Sequence, residues 1–285
     1  MEVKRTVHFY YPGDSFPSVS ITGENCSLGC KHCDGHYLKH MVDANTPERL
    51  LNFVHSRKDI GGFLLSGGCS NIGTVDFSSH LDAIKKITSE TELVLNVHTG
   101  CVDLETAKQL HSAGLDLASV DVVGDPDVVK EVYGIEPTMD PVDSLKALRD
   151  AGFSTVVPHV CIGLLGGRLS HEFKALEIIE TAKIEPDGIV FISLIPTKGT
   201  DYEDNPPPTT EDIFSVVSYG HKLFPETPLL LGCMRSKKER ETEIAALEAG
   251  ADGIVLPSKE TRKWVEEHGF EIIEHNTCCA LLGVD

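Results

Sequence analysis

The chain of 285 residues predicts an α/β fold of the (βα)8 TIM-type barrel, and three patterns carry that expectation. Short, almost continuously apolar runs rich in β-branched residues recur along it. Each is followed by a loop with a polar or glycine signal, then by an amphipathic segment of helical period. Glycine closes most of those segments before the next run begins. Strands buried on both faces must be apolar throughout, and strands separated by helices pair in parallel. Eight such units close most simply into a barrel within a single domain. A doubly wound open sheet is the alternative, but no glycine-rich phosphate fingerprint opens the first helix.

In order, the expected strands are Val19–Thr22, Phe63–Ser66, Leu93–Val97, Leu117–Val122, Thr155–Val160, Ile189–Leu194, Pro228–Leu231 and Ile254–Pro257. The first helix opens at Thr46-Pro47-Glu48, an N-cap threonine with proline at the first helical position, and runs to about His55. Further helices are expected at Ser78–Thr88, Leu104–Ser112, Pro141–Asp150, His171–Ala182, Glu211–Phe224, Lys238–Ala249 and Glu260–Glu267. Gly114, Gly152, Gly250 and Gly269 stand where helices end, at the position that favours a left-handed residue. Residues 1–17 and 269–285 lie outside the repeat and are expected to cap the barrel or extend over its mouth.

Composition narrows the classes. With 41% hydrophobic and 24% charged residues the chain is globular, and no apolar run is long enough to span a bilayer. Met1-Glu2-Val3-Lys4-Arg5 is not a signal pattern, so a cytoplasmic protein without a membrane role is expected. A formal charge of −19 argues against a nucleic-acid-binding surface. Nine cysteines in such a chain point to metal or redox chemistry before a disulfide framework.

Chemistry concentrates between Ser18 and Leu38. Cys26, Cys30 and Cys33 form a C-x3-C-x2-C triplet directly after the first strand. Three thiolates that close together can hold three irons of a four-iron cluster, leaving one iron open to a small molecule. A zinc knuckle with His32 or His36 as fourth ligand is the plainer reading, but no second C-x2-C pair follows. The triplet, its place after a first strand and the later Ser66-Gly67-Gly68 resemble the radical S-adenosylmethionine (SAM) enzymes. The resemblance implies a [4Fe–4S] cluster on Cys26, Cys30 and Cys33 whose open iron chelates SAM and cleaves it to a 5′-deoxyadenosyl radical. It also implies that Ser66, Gly67 and Gly68 meet the SAM amino group and that His32 stands near the adenine, while an ordinary strand-to-loop turn and a plain surface histidine are the alternative readings.

The other cysteines fall at strand ends. Cys69, Cys101, Cys161 and Cys233 follow or end the second, third, fifth and seventh strands, where barrel enzymes place their chemistry. Each alone is equally a small buried hydrophobe. Their order, the turn Cys161-Ile162-Gly163-Leu164-Leu165-Gly166-Gly167 and Arg235 before Ala249-Gly250-Ala251 resemble biotin synthase over residues 18 to 258. That resemblance implies an auxiliary [2Fe–2S] or [4Fe–4S] cluster on Cys69, Cys101 and Cys161, completed by Arg235 or Cys233, and a glycine turn at Gly163 near the cofactor. Ser119-Val120-Asp121 departs from the family's Asn-x-Asp, and Cys278-Cys279 in the tail has no counterpart there. The tail thiols are either ligands to a cluster, a mobile pair near the mouth, or plain tail residues. With the leader Phe9-Tyr10-Tyr11-Pro12-Gly13, the pattern looks more like the archaeal-type lipoyl synthase components. That would make the chain a sulfurtransferase acting on a protein-bound octanoyl chain, with a second radical SAM subunit and an electron donor such as ferredoxin. A biotin synthase, a hydrogenase-cofactor maturase of the same barrel type, and an iron–sulfur scaffold or sensor without turnover are the alternatives.

The remaining polar residues have two readings each. Asp121 and Asp125 flank the fourth strand's exit, positioned for the SAM ribose or a substrate amide, while Asp125 before Pro126 also reads as a helix cap. His98 and His159 lie near strand ends, lining the cavity or only satisfying hydrogen bonds. The run from Lys237 to Glu241 reads as a solvated helix face.

Overall fold

In the computed structural model, residues 5–237 and 240–282 are described. All eight expected strands form: β2 (Ser18–Ser20), β4 (Gly62–Ser66), β5 (Val94–His98), β6 (Leu117–Asp121), β7 (Thr155–Ile162), β8 (Ile189–Ser193), β9 (Leu229–Leu231) and β10 (Gly253–Val255). Three more join them, β1 (Thr6–Tyr10), β3 (Val42–Asp43) and β11 (Glu271–His275). The order is β11-β1-β10-β9-β8-β7-β6-β5-β4-β2-β3, and every ladder is parallel. The sheet curls as a TIM-type barrel with a seam. Among the described residues no ladder joins β2 to β10; the edges are β3 and β11. Parts of both chain ends expected to cap the barrel are therefore strands of its wall.

The helices follow the caps read from sequence. Thr46 accepts from the Arg49 amide to open α1 (Pro47–Ser56), and Asp103 accepts from Thr106 to open α3 (Leu104–Ser112). Between them lies α2 (Leu81–Glu90). A helix the periodicity did not predict, α4 (Pro126–Tyr133), is capped by Asp125 as its Asp-Pro start suggests. Next come α5 (Pro141–Ala151), α6 (Glu172–Ala182), α7 (Thr210–Leu223), α8 (Glu241–Glu248) and α9 (Lys259–Glu267). Thr209 and Asp212 form a reciprocal capping box at α7. The helix expected from Lys238 begins at Glu241, and Lys238 and Glu239 themselves lie outside the described residues. No helix of the described residues is long and apolar enough to cross a membrane.

Alternation along the strands divides the interior. Phe63, Leu65, Val97, Val120, Val156, Phe191 and Leu231 face outward onto Leu50, Ile84, Leu110, Leu145, Leu176 and Val216 of the helices. A fully buried side chain of this size contributes roughly 1.5–3 kcal/mol. The inward face is apolar in its lower part, with Leu117, Val157, Val190, Leu230 and Val255 packed around the C-terminal tail. The tail's turn Cys279–Leu281 touches both β6 and β10, strands on opposite sides of the barrel, so it lies across the interior. Higher up the inward face turns polar, with His98, Asp121, His159 and Cys161 on three neighbouring strands.

Candidate functional site

The triplet loop leaves β2 and is pinned by backbone contacts on three sides. The Ser27 amide donates to Cys69 O at 2.8 Å, Lys31 to Val132 O at 2.9 Å, and Tyr202 to Lys31 O at 3.2 Å. These tie the loop to the exit of β4, to α4 and to the segment after β8. Within it, the ligand atoms of Cys30, His32 and Cys33 lie within 4.8 Å of one another. Cys26 stands apart from that group, its Sγ 3.9 Å from the Cys69 carbonyl oxygen. His36, the other histidine the zinc reading allowed, packs edge-on against Tyr37 and His40.

Gly68 explains why the loop can sit there. A side chain on it would place Cβ 2.1 Å from Asn25 O and 2.7 Å from the Cys26 Cα, so only glycine lets β4's exit approach the triplet. Its amide is fixed by the Thr22 hydroxyl at 2.7 Å. Ser66 is engaged elsewhere, its hydroxyl donating to His98 O at 3.0 Å.

Cys26, Cys30, His32, Cys33, Gly67, Gly68, Cys69, Cys101 and Asp121 all open on one cavity of about 800 Å³. Its outer wall comes from α4 and the segment after it, through Val129, Tyr133, Ile135 and Pro137, none of which the sequence reading singled out. The thiols interact strongly. Cys33 is held down at about 4 by the Cys30 thiol, against its own burial and with help from His32, while Cys30 is pushed up by the same bond. Burial and then the charges of Cys26 and Asp121 push Cys69 up to about 12; burial and Asp121 push Cys101 to about 11.

Asp121 anchors the polar part of the interior. Burial would raise its carboxyl, but His98, 3.5 Å away, holds it down at about 2. Burial disfavours the His98 cation, yet Asp121 lifts His98 above its ordinary value. His159, edge-on to His98 at 5.3 Å, is lowered to about 4 by burial and by the His98 charge. His159 Nδ1 bonds its own strand's Val157 O at 3.0 Å, which leaves Nε2 as the ring's other polar atom.

The remaining expected residues are placed differently. Cys161 sits outside the cavity, among Val128, Val132, Leu164, Leu194 and Tyr202, and burial pushes its thiol up. Gly163 is in the turn beyond β7, its amide held at 2.8 Å by the buried carboxylate of Glu172. The buried His171 bridges Gly124 N and Cys161 O, each at 3.2 Å. Both Glu172 and His171 escaped the sequence reading, which saw them only as the start of a helix. Arg235 is a correction. It is 2% exposed and gives Nη1 to Gly232 O and Val255 O, and Nη2 to Glu243 Oε1 at 2.6 Å. With Nη1 and Nη2 both spent on protein acceptors, Arg235 leaves the candidate ligand set.

Residues 20–198 match the family model described as the Radical SAM superfamily. The chain belongs to that superfamily. Among its relatives, biotin synthase of Ehrlichia canis (strain Jake) is 25% identical over 250 residues, covering 85% of this chain and 75% of the relative. Biotin synthase of Coxiella burnetii (strain Dugway 5J108-111) is 25% identical over 248 residues, covering 84% and 76%. In fold, this radical SAM protein is similar to HydG, a maturase of the [FeFe]-hydrogenase, with TM-score 0.67 and 16% identity. It is covered over 98% of its length and spans 66% of that chain. Methylornithine synthase (PylB) gives TM-score 0.62 at 14% identity, covering 94% and 84%.

The superfamily implies a [4Fe–4S] cluster and SAM, and the residues present fit them. Three free thiols converge from one loop onto the cavity, and His32 Nδ1 is buried there with no hydrogen-bond partner among the described residues. The loop therefore presents the donors such a pair of groups needs.

Proposed function

We propose that this radical SAM protein opens an unactivated C–H bond and places sulfur on that carbon, as an enzyme of biotin-synthase type. One observation carries the reading: the triplet, Gly67-Gly68, Asp121 and two further strand-end thiols open on a single cavity. A four-iron cluster and SAM, when bound, supply the organic radical that acid–base side chains cannot.

The chain's own residues then have separable tasks. Cys26, Cys30 and Cys33 hold the cluster. Gly68 brings the backbone of β4's exit within reach of the bound cofactor. The Asp121 carboxylate, ionised throughout the neutral range, is a hydrogen-bond acceptor for cofactor hydroxyls or a substrate N–H. Apolar walls from Ile72, Val123, Val129 and Ile135 keep water from the reacting carbon. Cys69 and Cys101 would be the cavity's thiols to hold an auxiliary iron–sulfur cluster, a group that would supply sulfur when bound.

The relatives named biotin synthase support dethiobiotin as substrate. A protein-bound octanoyl chain, with a lipoyl-domain carrier and a second radical SAM subunit, is a second reading that one observation favours. The Ser119 hydroxyl donates to Asn96 Oδ1 at 2.9 Å, and Asn96 Nδ2 faces the Cys278 sulfur. The interior amide of Asn96 is thus already engaged and not free for a ureido ring, whereas an alkyl chain asks only for apolar walls.

The test is anaerobic turnover of the iron- and sulfide-reconstituted chain with SAM and dithionite. Dethiobiotin and an octanoyl-lysyl peptide are run in parallel, the peptide with and without a partner subunit and ferredoxin. The expected result is 5′-deoxyadenosine together with a thiolated product from one of the two. Steady 5′-deoxyadenosine formation with no sulfur in either substrate would refute sulfur insertion.

A further inference from the structure

The cavity beside the triplet is longer than its polar floor. Its lining runs from the triplet loop past the exits of β4 and β5 to Gly124 beyond β6, and on to Lys174 and Ile178 of α6. From β2 to β6 there are three strand spacings, about 14 Å. Gly124 lets the far end form: a Cβ there would stand 2.3 Å from both Ala175 N and His171 O. The exit of β6 is therefore pressed against the first turn of α6. The cavity continues across it, bounded by Val129 of α4, Val142 of α5 and Ile178 of α6.

The two halves of the cavity differ in chemistry. The half at the strand ends holds the triplet, Gly67, Gly68 and Asp121, and so offers sulfur, backbone amides and a carboxylate. The amino, carboxylate and hydroxyl groups of SAM need such partners. Beyond Asp121 the side chains are Val123, Pro126, Val129, Met139, Val142 and Ile178. Pro126 and Val129, three residues apart on α4, share one helix face, as do Lys174 and Ile178, four apart on α6. A passage walled in that way favours alkyl carbons and leaves a buried polar group without a partner.

Polar groups return at the outer end. Lys174 lines the cavity while its side chain is 63% exposed, so the passage reaches solvent beside it. Its ammonium is paired with Glu177 at 3.2 Å. Asp140 lines the cavity as well, its carboxylate accepting from the Val142 amide at 2.8 Å. Two carboxylates against one ammonium disfavour a further negative charge at that opening. We propose that the passage is the channel for an unbranched acyl chain joined to a carrier through an amide. The chain's terminal carbons lie toward Asp121 and its amide at Lys174. The proposal rests on the C–H-opening reading above and selects a tethered, uncharged chain over a free carboxylic acid.

The experiment uses the full chain, reconstituted anaerobically with iron and sulfide and held with SAM but without reductant, so that nothing turns over. Equilibrium dialysis measures binding of Nε-acyl-lysine probes, blocked at both termini, with four, six or eight acyl carbons, and of octanoate. Each added methylene should tighten binding about three- to fourfold. The octanoyl probe should bind at least about tenfold tighter than octanoate. Ile178→Trp fills the passage and should weaken the octanoyl probe about tenfold or more. Glu177→Gln should strengthen octanoate binding and leave the octanoyl probe unchanged. The chain-length series needs no variant, so the outcome does not hang on the folding of Ile178→Trp. Affinity independent of chain length, or octanoate bound as tightly as the octanoyl probe, overturns the proposal. Chain-length-dependent binding without a thiolated product under dithionite would support the channel and refute sulfur insertion, so the two readings fail separately.

Discussion

Glu243→Gln removes one charge from an ion pair whose side chains are 2% and 4% exposed, leaving the Arg235 guanidinium buried beside a neutral amide. Glu243 also accepts from Ser258 N at 2.8 Å and Thr261 Oγ1 at 2.6 Å, so it ties the end of β9 to α8 and to the start of α9. An unpaired buried charge costs about 3–5 kcal/mol; since glutamine retains part of the hydrogen bonding, a loss of about 3 kcal/mol is expected. With a urea slope of about 3 kcal/mol per molar for a chain of this size, the midpoint should fall by about 1 M. Burial would raise the Glu243 carboxyl, but Arg235 and the hydrogen bonds hold it below its ordinary 4.5. A depressed carboxyl contributes stability that is present above that ordinary value and is lost as pH falls through the folded one. The gap between wild type and Glu243→Gln should thus be full at neutral pH and shrink on acidification below about 4.5. Arg235→Met/Glu243→Leu, which leaves no orphaned charge, should cost less than Glu243→Gln. An unchanged urea midpoint in Glu243→Gln, or a gap that widens in acid, would refute this account of Arg235.

Gly68→Ala should disturb the triplet loop, because the new methyl collides with Asn25 O and Cys26; iron retained after desalting should drop severalfold, and full retention would contradict the close approach. In Asp121→Asn, His98 loses the carboxylate that raises it while its burial remains, so its titration followed by NMR should move downward; no movement would show the pair is not coupled. Leu281→Ala empties part of the inner layer where Leu281 is 5% exposed, and should cost about 2–4 kcal/mol in chemical denaturation. A loss below about 0.5 kcal/mol would mean that the tail does not dock in the barrel.

The barrel strands were legible because burial on both faces forces continuous apolar runs, and the eight expected runs all lie in the sheet. The two strands from the chain ends were not. Thr6–Tyr10 alternates in burial and Glu271–His275, at the sheet's edge, is largely exposed, and the residues they pair with lie more than 240 positions away. The helix α4 hid for a related reason: its Asp-Pro start was visible as a cap, but eight residues give little periodicity. Within the site, the triplet and Gly67-Gly68 were readable because their spacing encodes local geometry. The surroundings of Arg235 were not legible, since its partner Glu243 and the carbonyls at Gly232 and Val255 are set by packing around β9. Cys278 is the opposite case, a residue that looks like loose tail and lies inside the barrel because the chain after β11 turns inward.

We propose that the triplet at the cavity mouth holds the cluster that cleaves SAM. The direct measurement is 5′-deoxyadenosine released under dithionite by the reconstituted chain, compared with Cys26→Ala/Cys30→Ala/Cys33→Ala reconstituted in the same way. Steady release is expected from the first and at least about a hundredfold less from the second, the scale of losing a unit that acts together. Release from the triple variant at the wild-type rate would contradict it.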